Sequence, residues 1–270
     1  MREIDMLELG ICIEDRGLDL ESLFNNRLSE EQKHSIRVSA IDPRHIYVNC
    51  QEEEGLQKTA EILTDIIIEN LQVRYIVKEL RQNYFFIPEN EQCEILIDTL
   101  KQIWFAKEES PFYHMRENIQ SRLIEYMEQE ADGLLTLEGF IRFRMKDYLA
   151  GWIESLEDCL DDYILEKEKE EFIKLLRYFV SMKDPGIDQV FLRRDHIGVL
   201  RLYNCSGLEL CLDISKEEMR ASHISQNDLV LSQLVNIAPE RIYIQQPQEV
   251  DPKLLELIHK VFIGRVYDVD

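Results

Sequence analysis

The chain has 270 residues, 45% hydrophobic and 31% charged, which excludes a disordered protein because such a chain can bury one large core or several small ones. Its net charge of −22, from 53 acidic and 31 basic side chains, disfavours broad adhesion to nucleic acid or anionic lipid. We therefore do not expect nucleic acid as a partner, and solubility is the simpler explanation of the charge.

The cysteine pattern and the lengths of the apolar runs predict a cytoplasmic protein. The six cysteines include no C-x-x-C pair, which disfavours a zinc ribbon or a thioredoxin-like redox motif. The chain opens on charged residues instead of an apolar signal segment, and no apolar run approaches the roughly 20 residues that span a bilayer. We expect no membrane insertion and no cofactor, and we leave the oligomeric state open.

Residues 1–51 are predicted to form a small βαββ unit. An apolar strand is expected within Ile4–Ile13, and helical spacing follows over Leu18–Leu28. Two alternating segments, 36–41 and 45–50, flank Asp42-Pro43, which predicts a hairpin because Pro43 fixes its own φ and Asp42 can cap the turn.

Residues 52–183 are predicted to form an antiparallel helical bundle. Helices are expected over 52–84 and 91–106, then from Ser110-Pro111 to Asp132-Gly133, and finally from Thr136 onward. In the last helix, the fully charged run 166–171 is typical of a solvated face. The spacing predicts one core-facing side made by Leu165, Phe172, Leu175, Leu176, Phe179 and Val180.

Residues 184–270 are predicted to form a β-rich α+β unit. Strands are expected at 189–193, 198–203, 208–214, 241–246 and 265–269. Ser225 with Asp228 has the spacing of a capping box, and Asp251-Pro252 is typical of a helix start. The predicted class is therefore α+β, with the central bundle between a small N-terminal α/β unit and a C-terminal mixed sheet/helix unit.

The run between Gly139 and Asp188 is the distinctive part of the chain. Its matching elements, with the residues just before it, are Leu137-Glu138-Gly139-Phe140, Arg142-Phe143-Arg144, Lys146-Asp147-Tyr148, the stretch from Glu170 to Val180, and Pro185 with Asp188. This run resembles the YtxC family of sporulation proteins, and the resemblance extends more loosely to the C-terminal unit. It implies a spore-forming bacterium as the setting and leaves the mechanism open.

Positive charge at the start of the signature helices is the best candidate for a binding site on this acidic chain. Such cations bind phosphate, acidic peptides or nucleic acid. Internal pairing with carboxylates of the same bundle is the alternative, and it is the commoner arrangement. The candidate binding residues are Arg142, Arg144, Lys146 and Arg177.

Three acids at helical spacing offer a weaker alternative site. Asp158, Asp161 and Asp162 could converge on Mg²⁺ or Mn²⁺, although a solvated acidic edge is the preferred interpretation, so no metal site is predicted. Phosphate-loop, dinucleotide-binding and G-x-S-x-G motifs are absent from the sequence, and so is H-E-x-x-H. We therefore prefer a protein that is not an enzyme, although motifs alone do not decide this.

The sequence by itself does not determine a biochemical activity. The leading hypothesis is a non-enzymatic interaction or regulatory component linked to sporulation, with an unknown protein partner near Arg142 and Arg144. A metal-dependent phosphate-directed hydrolase or nuclease is the alternative, in which those arginines act with an ion at Asp158, Asp161 and Asp162. Direct nucleic-acid binding is a third hypothesis, which the net charge disfavours.

Overall fold

The computed structural model describes residues 7–50, 52–129, 133–210 and 225–269. Its contacts group into two compact units, Met1–Tyr163 and Ile164–Asp270, and each unit has its own hydrophobic core. The predicted α+β class is confirmed. The division into three parts at residues 51 and 183 stays a prediction.

The first unit contains a four-stranded sheet of order β2-β3-β1-β4. Its strands are β1 (Leu7–Cys12), β2 (Ile36–Asp42), β3 (His45–Cys50) and β4 (Leu134–Thr136). The predicted hairpin is confirmed, since β2 and β3 pair antiparallel and Asp42 Oδ1 accepts from the Arg44 amide at 2.7 Å.

Strand β4 corrects the prediction that the central block is entirely helical. It pairs parallel to β1, with Gly10 opposite Leu134. Three residues are too few to show strand alternation in the sequence, and their hydrogen-bond partners lie more than a hundred residues earlier in the chain.

Helices cover the sheet and share its core. They are α1 (Leu20–Asn25), α2 (Glu52–Ile66), a π-helical turn (Ile67–Leu71), α3 (Gln72–Asn83), α4 (Glu89–Trp104), α5 (Met115–Gln129), α6 (Leu137–Arg144) and the first part of α7 (Lys146–Met182). Among the described residues, no helix is both long and apolar enough to cross a membrane.

The predicted helix start at Ser110-Pro111 is wrong, because α5 begins at Met115. Ser110 and Pro111 instead open a turn that the Tyr113 amide closes on the Ser110 carbonyl at 3.2 Å. Proline after serine suits the second position of a β-turn as well as the first turn of a helix, so this signal is ambiguous. Asp132, at the predicted end of this helix, lies outside the described part of the chain, and α5 is described as far as Gln129.

Arg122 of α5 contacts the junction between α6 and α7. The Arg122 guanidinium donates to the Arg144 carbonyl and to both carboxylate oxygens of Asp147, each at 2.7 Å, and it lies 5.2 Å over the Tyr148 ring. The Tyr148 hydroxyl is in turn hydrogen-bonded to Asn118 Nδ2 at 2.9 Å. Two of the signature residues, Asp147 and Tyr148, therefore connect α7 to α5.

Asp147→Asn should reduce stability in a pH-dependent way. The Arg122 guanidinium holds the pKa of the Asp147 carboxyl below its ordinary value. The stabilisation is therefore present above the unfolded-state pKa of about 3.9 and is lost as the pH falls through the lowered folded-state value. Because both side chains are partly exposed, we expect a loss of about 0.5–1 kcal/mol at neutral pH. Urea unfolding of the wild type and Asp147→Asn at pH 7 and pH 3 measures this loss, and the exposed Asp158→Asn is the control. If the stability difference between the wild type and Asp147→Asn were the same at pH 3 as at pH 7, the ion pair would be contradicted.

The second unit carries a sheet of order β6-β5-β7-β8. Its elements after α7 are β5 (Gln189–Arg194), β6 (Leu200–Asn204), α8 (Gln226–Ile237), β7 (Arg241–Gln245), α9 (Pro252–Val261) and β8 (Val266–Val269). Strand β5 is antiparallel to β6 and parallel to β7, which is parallel to β8. Of the predicted strand 208–214, Glu209 bridges Tyr203, and the residues from 211 lie outside the described part.

The C-terminal half of α7 buries a different face from the predicted one. Ile173 is 6% exposed, whereas Phe172 is 52% exposed, and Leu175 and Phe179 are also more than half exposed. Val180 is buried, as predicted. Apolar residues occupy two neighbouring stripes of this helix, so the spacing alone could not choose between them. The prediction is therefore wrong for Phe172, Leu175 and Phe179, and also for Leu165, which is 66% exposed.

Candidate functional site

A concave opening in the first unit is the candidate site. This cleft of about 540 Å³ lies between α3, α6 and the segment after β1. Its volume is within the range of about 300–1,000 Å³ that is usual for small-molecule sites. Its charged lining consists of Glu14, Asp15, Arg74, Lys78, Arg81, Glu138 and Arg142.

Glu138 is a buried acid at this cleft. The residue is only 7% exposed, because Glu138 lies on the same side of α6 as the buried residues Ile141 and Met145, three and seven positions later. Oε1 accepts from the Asp15 amide at 3.1 Å. Oε2 is buried and has no hydrogen-bond partner among the described residues. A buried carboxylate oxygen without a donor costs free energy, and a hydrogen bond to this atom would recover part of that cost.

Arg74 organises the edge of the cleft near the end of β1. Its Nη1 donates to both carboxylate oxygens of Asp15 at 2.9 Å, and its Nη2 donates to the Gly17 carbonyl at 2.9 Å. A Cβ on Gly17 would lie 2.9 Å from Arg74 Nη1, so glycine leaves room for the guanidinium. Arg74 is therefore occupied by contacts within the chain.

Arg142 is held less tightly than Arg74. Its Nη2 lies 3.8 Å from Glu14 Oε2, which is longer than a hydrogen bond, and its side chain is exposed. Lys78 and Arg81 are also exposed and lie along α3 at the same cleft. Arg81 Nη2 lies 3.5 Å from Glu89 Oε1, so Arg142 and Lys78 are the rim cations that are least engaged within the described part of the chain.

Tyr75 lines the cleft among these charges. Burial raises the pKa of its hydroxyl, and Glu138 and Glu14 add to the rise, whereas Arg142 opposes it. The phenol is therefore protonated at neutral pH and can act as a hydrogen-bond donor or as an apolar surface. Its ring centroid lies 6.5 Å from that of the buried Trp152, so Tyr75 is anchored on the core.

The π-helical turn precedes the cleft residues of α3. It ends at Leu71, which lines the cleft, and Arg74 and Tyr75 follow within one turn. Such single π turns shift the direction in which the next side chains point, and they are frequent at functional sites.

The structure distributes the predicted binding residues over several locations. Arg142 lies in the cleft, whereas the Arg144 guanidinium lies 5.9 Å over the Tyr126 ring, outside it. Two positions along a helix are about 200° apart, which explains this separation. Lys146 begins α7 outside the cleft lining. Arg177 belongs to the second unit, where its Nε donates to the Lys260 carbonyl.

Several cleft residues were missed in the sequence, although it carries signals for them. Glu138 is an acid among Leu137, Phe140 and Ile141, which form the apolar side of α6. Arg74, Lys78 and Arg81 have i, i+4, i+7 spacing, which places cations along one side of a helix. Neither signal reveals that the two helices face each other.

The acidic residues of the alternative site are exposed on α7. Asp158, Asp161 and Asp162 are all solvent-accessible, and none of them lines the cleft. Within the part of the chain that the structure describes, no group of three or more His, Cys, Asp or Glu side chains is arranged to hold a metal ion.

Comparison with known proteins confirms the resemblance. The model of the YtxC-like family matches residues 57–267. This chain belongs to the YtxC-like family. It is 24% identical over 210 residues to "Uncharacterized protein YtxC" of Bacillus subtilis (strain 168), and the match covers 76% of this chain and 74% of that protein. No solved structure matches.

The YtxC-like match includes most of the cleft. The matched range contains α3 and α6, and therefore Tyr75, Lys78, Glu138 and Arg142. Glu14 and Asp15 precede the range.

Proposed function

We propose that this YtxC-like protein is a non-enzymatic interaction or regulatory component linked to sporulation, and that it acts by binding an anionic group in the first-unit cleft. The observation that carries the proposal is that Arg142, Lys78 and Arg81 line one concave opening on a chain of net charge −22. Guanidinium and ammonium groups bind phosphate and carboxylate strongly. The link to sporulation comes only from the resemblance, and the expected protein partner is part of the hypothesis that the exposed cations form a contact surface.

The position of the acids favours binding over the alternative hydrolase or nuclease. That alternative requires Arg142 to act together with an ion at Asp158, Asp161 and Asp162. The cleft that contains Arg142 is not lined by any of these three acids. In addition, Asp15 is ion-paired with Arg74, and the pKa of the Tyr75 hydroxyl is raised above the ordinary tyrosine value of about 10, so the phenol is protonated at neutral pH.

Arg142→Gln should abolish most of the binding of inorganic phosphate. Loss of a charge-assisted contact of about 1.5–3 kcal/mol corresponds to roughly a 10- to 100-fold weaker affinity. Bound phosphate stabilises the folded state, so the melting temperature of the wild type should rise as phosphate replaces chloride at constant ionic strength, and that of Arg142→Gln should not.

Arg144→Gln is the matched control, because it removes the same charge from the same helix outside the cleft. It should respond to phosphate like the wild type. An equal response of the two variants would remove the cleft from the proposal, and failure of the wild type to respond would overturn anion binding.

A further inference from the structure

We propose that the anionic ligand of the cleft is a nucleoside phosphate, whose base donates an N–H group to Glu138 and whose phosphate binds the cationic rim. This inference rests on the proposed function, namely that the cleft binds an anion. Three parts of the cleft carry it: the buried acceptor, the partly apolar lining and the rim.

The buried acceptor shows that a simple anion is an incomplete ligand. Glu138 Oε2 is buried and without a partner among the described residues, and a carboxylate oxygen accepts hydrogen bonds only. A bare phosphate dianion would place like charge near this atom, which is unfavourable. A ligand that satisfies this atom as well as the rim brings an N–H or O–H donor to Glu138 and a negative charge to the cations.

The lining between these charges suits a nucleobase. Tyr75, Leu71 and Val77 supply an aromatic and apolar surface in the same cleft. Stacking of a base on an aromatic side chain contributes about 1–3 kcal/mol, and every base carries at least one N–H donor on its edge. A carboxylate is a suitable acceptor for such a donor.

The rim is suited to the phosphate. Arg142 is beyond hydrogen-bond distance of Glu14, and Lys78 has no ion pair within the described part of the chain. Both side chains are exposed and retain N–H donors for phosphate oxygens. The ligand class that combines a base-edge donor, a planar apolar body and a phosphate is a nucleoside phosphate.

Titration calorimetry with the full chain tests the inference. The probes are the 5′-monophosphates of guanosine, adenosine, cytidine and uridine, together with ribose 5-phosphate, inorganic phosphate and a short poly-glutamate peptide. At least one nucleotide should bind tenfold or more tightly than ribose 5-phosphate and the peptide. Ribose 5-phosphate or the peptide binding as tightly as every nucleotide would overturn the base contact.

Glu138→Gln separates the two ends of the ligand. The amide keeps the shape of the side chain and removes its negative charge. It also places an N–H₂ group at the position of the unpartnered oxygen, where a base N–H could no longer be accepted. Nucleotide affinity should fall at least tenfold, whereas affinity for inorganic phosphate should stay equal or increase because a negative charge is gone. Unchanged nucleotide affinity would overturn the role of Glu138.

Lys78→Gln, at an exposed position, provides the complementary variant. It should weaken the affinity for nucleotide and the affinity for inorganic phosphate by the same factor. Unequal factors would contradict a shared phosphate site. If phosphate binding depends on Arg142 and no nucleotide binds more tightly than ribose 5-phosphate, this inference fails while the proposed function stands. If neither phosphate nor any nucleotide binds, both fail. Circular dichroism of each variant checks that the fold is intact.

Discussion

Trp152→Ala should lower the free energy of unfolding of the first unit by about 3–5 kcal/mol. The Trp152 side chain is fully buried in the core that the first sheet shares with its helices. Alanine would leave a cavity, since the residues around a large ring relax only partly when it is removed. Urea unfolding followed by far-UV circular dichroism measures the loss.

Trp152→Phe is the control for this substitution. The indole Nε1 of Trp152 has no hydrogen-bond partner among the described residues, so phenylalanine removes a buried donor that is not satisfied. Removal of this unsatisfied N–H group offsets part of the stability that is lost with the apolar contacts. We therefore expect Trp152→Phe to lose less than half as much stability as Trp152→Ala. A loss below about 1 kcal/mol for Trp152→Ala, which is typical of surface positions, would contradict the burial of this side chain.

Ile173→Ala should destabilise the second unit by about 2–4 kcal/mol, because Ile173 is buried in the core of that unit. Its neighbour Phe172 should behave differently. Phe172 is half exposed on the same helix, and alanine is a better helix former, so Phe172→Ala should change stability by no more than about 0.5 kcal/mol. Thermal and urea unfolding of both variants measure the difference.

These two adjacent positions test which side of α7 faces the core. The spacing in the sequence predicts that Phe172 is buried, whereas the structure buries Ile173. If Phe172→Ala lost as much stability as Ile173→Ala, the predicted side of the helix would be correct and the structural assignment would be contradicted.

Local contacts explain where the sequence predicted the structure well. The Asp42 turn closes over two residues, and the capping box of α8 joins Ser225 to Asp228 over three. The Asp251 side chain accepts from the Lys253 and Leu254 amides at the start of α9. Each of these signals is readable because donor and acceptor lie within a few residues of each other.

The candidate site was predictable only in part. Arg142 stood out in the sequence because local positive charge is conspicuous on a chain with 53 acidic and 31 basic side chains, and it does line the cleft. Glu138 belongs to the signature, but an acid at the start of a helix is ordinarily a favourable charge near the helix dipole, so its position in the sequence does not indicate a site. Its burial depends on α6 lying against the segment after β1, where the Asp15 amide meets Oε1.

The sequence by itself therefore determined the α+β class, the Asp42 turn, the caps of α8 and α9, the YtxC-like family and the local positive charge that made Arg142 a candidate on an acidic chain. Tertiary structure alone decided the pairing of β4 with β1, the buried side of α7 and the meeting of Glu138, Tyr75 and Arg142 in one cleft. The physical reason is that caps and turns are made by neighbours in the chain. Strand pairing, burial and clefts depend instead on which distant surfaces pack together.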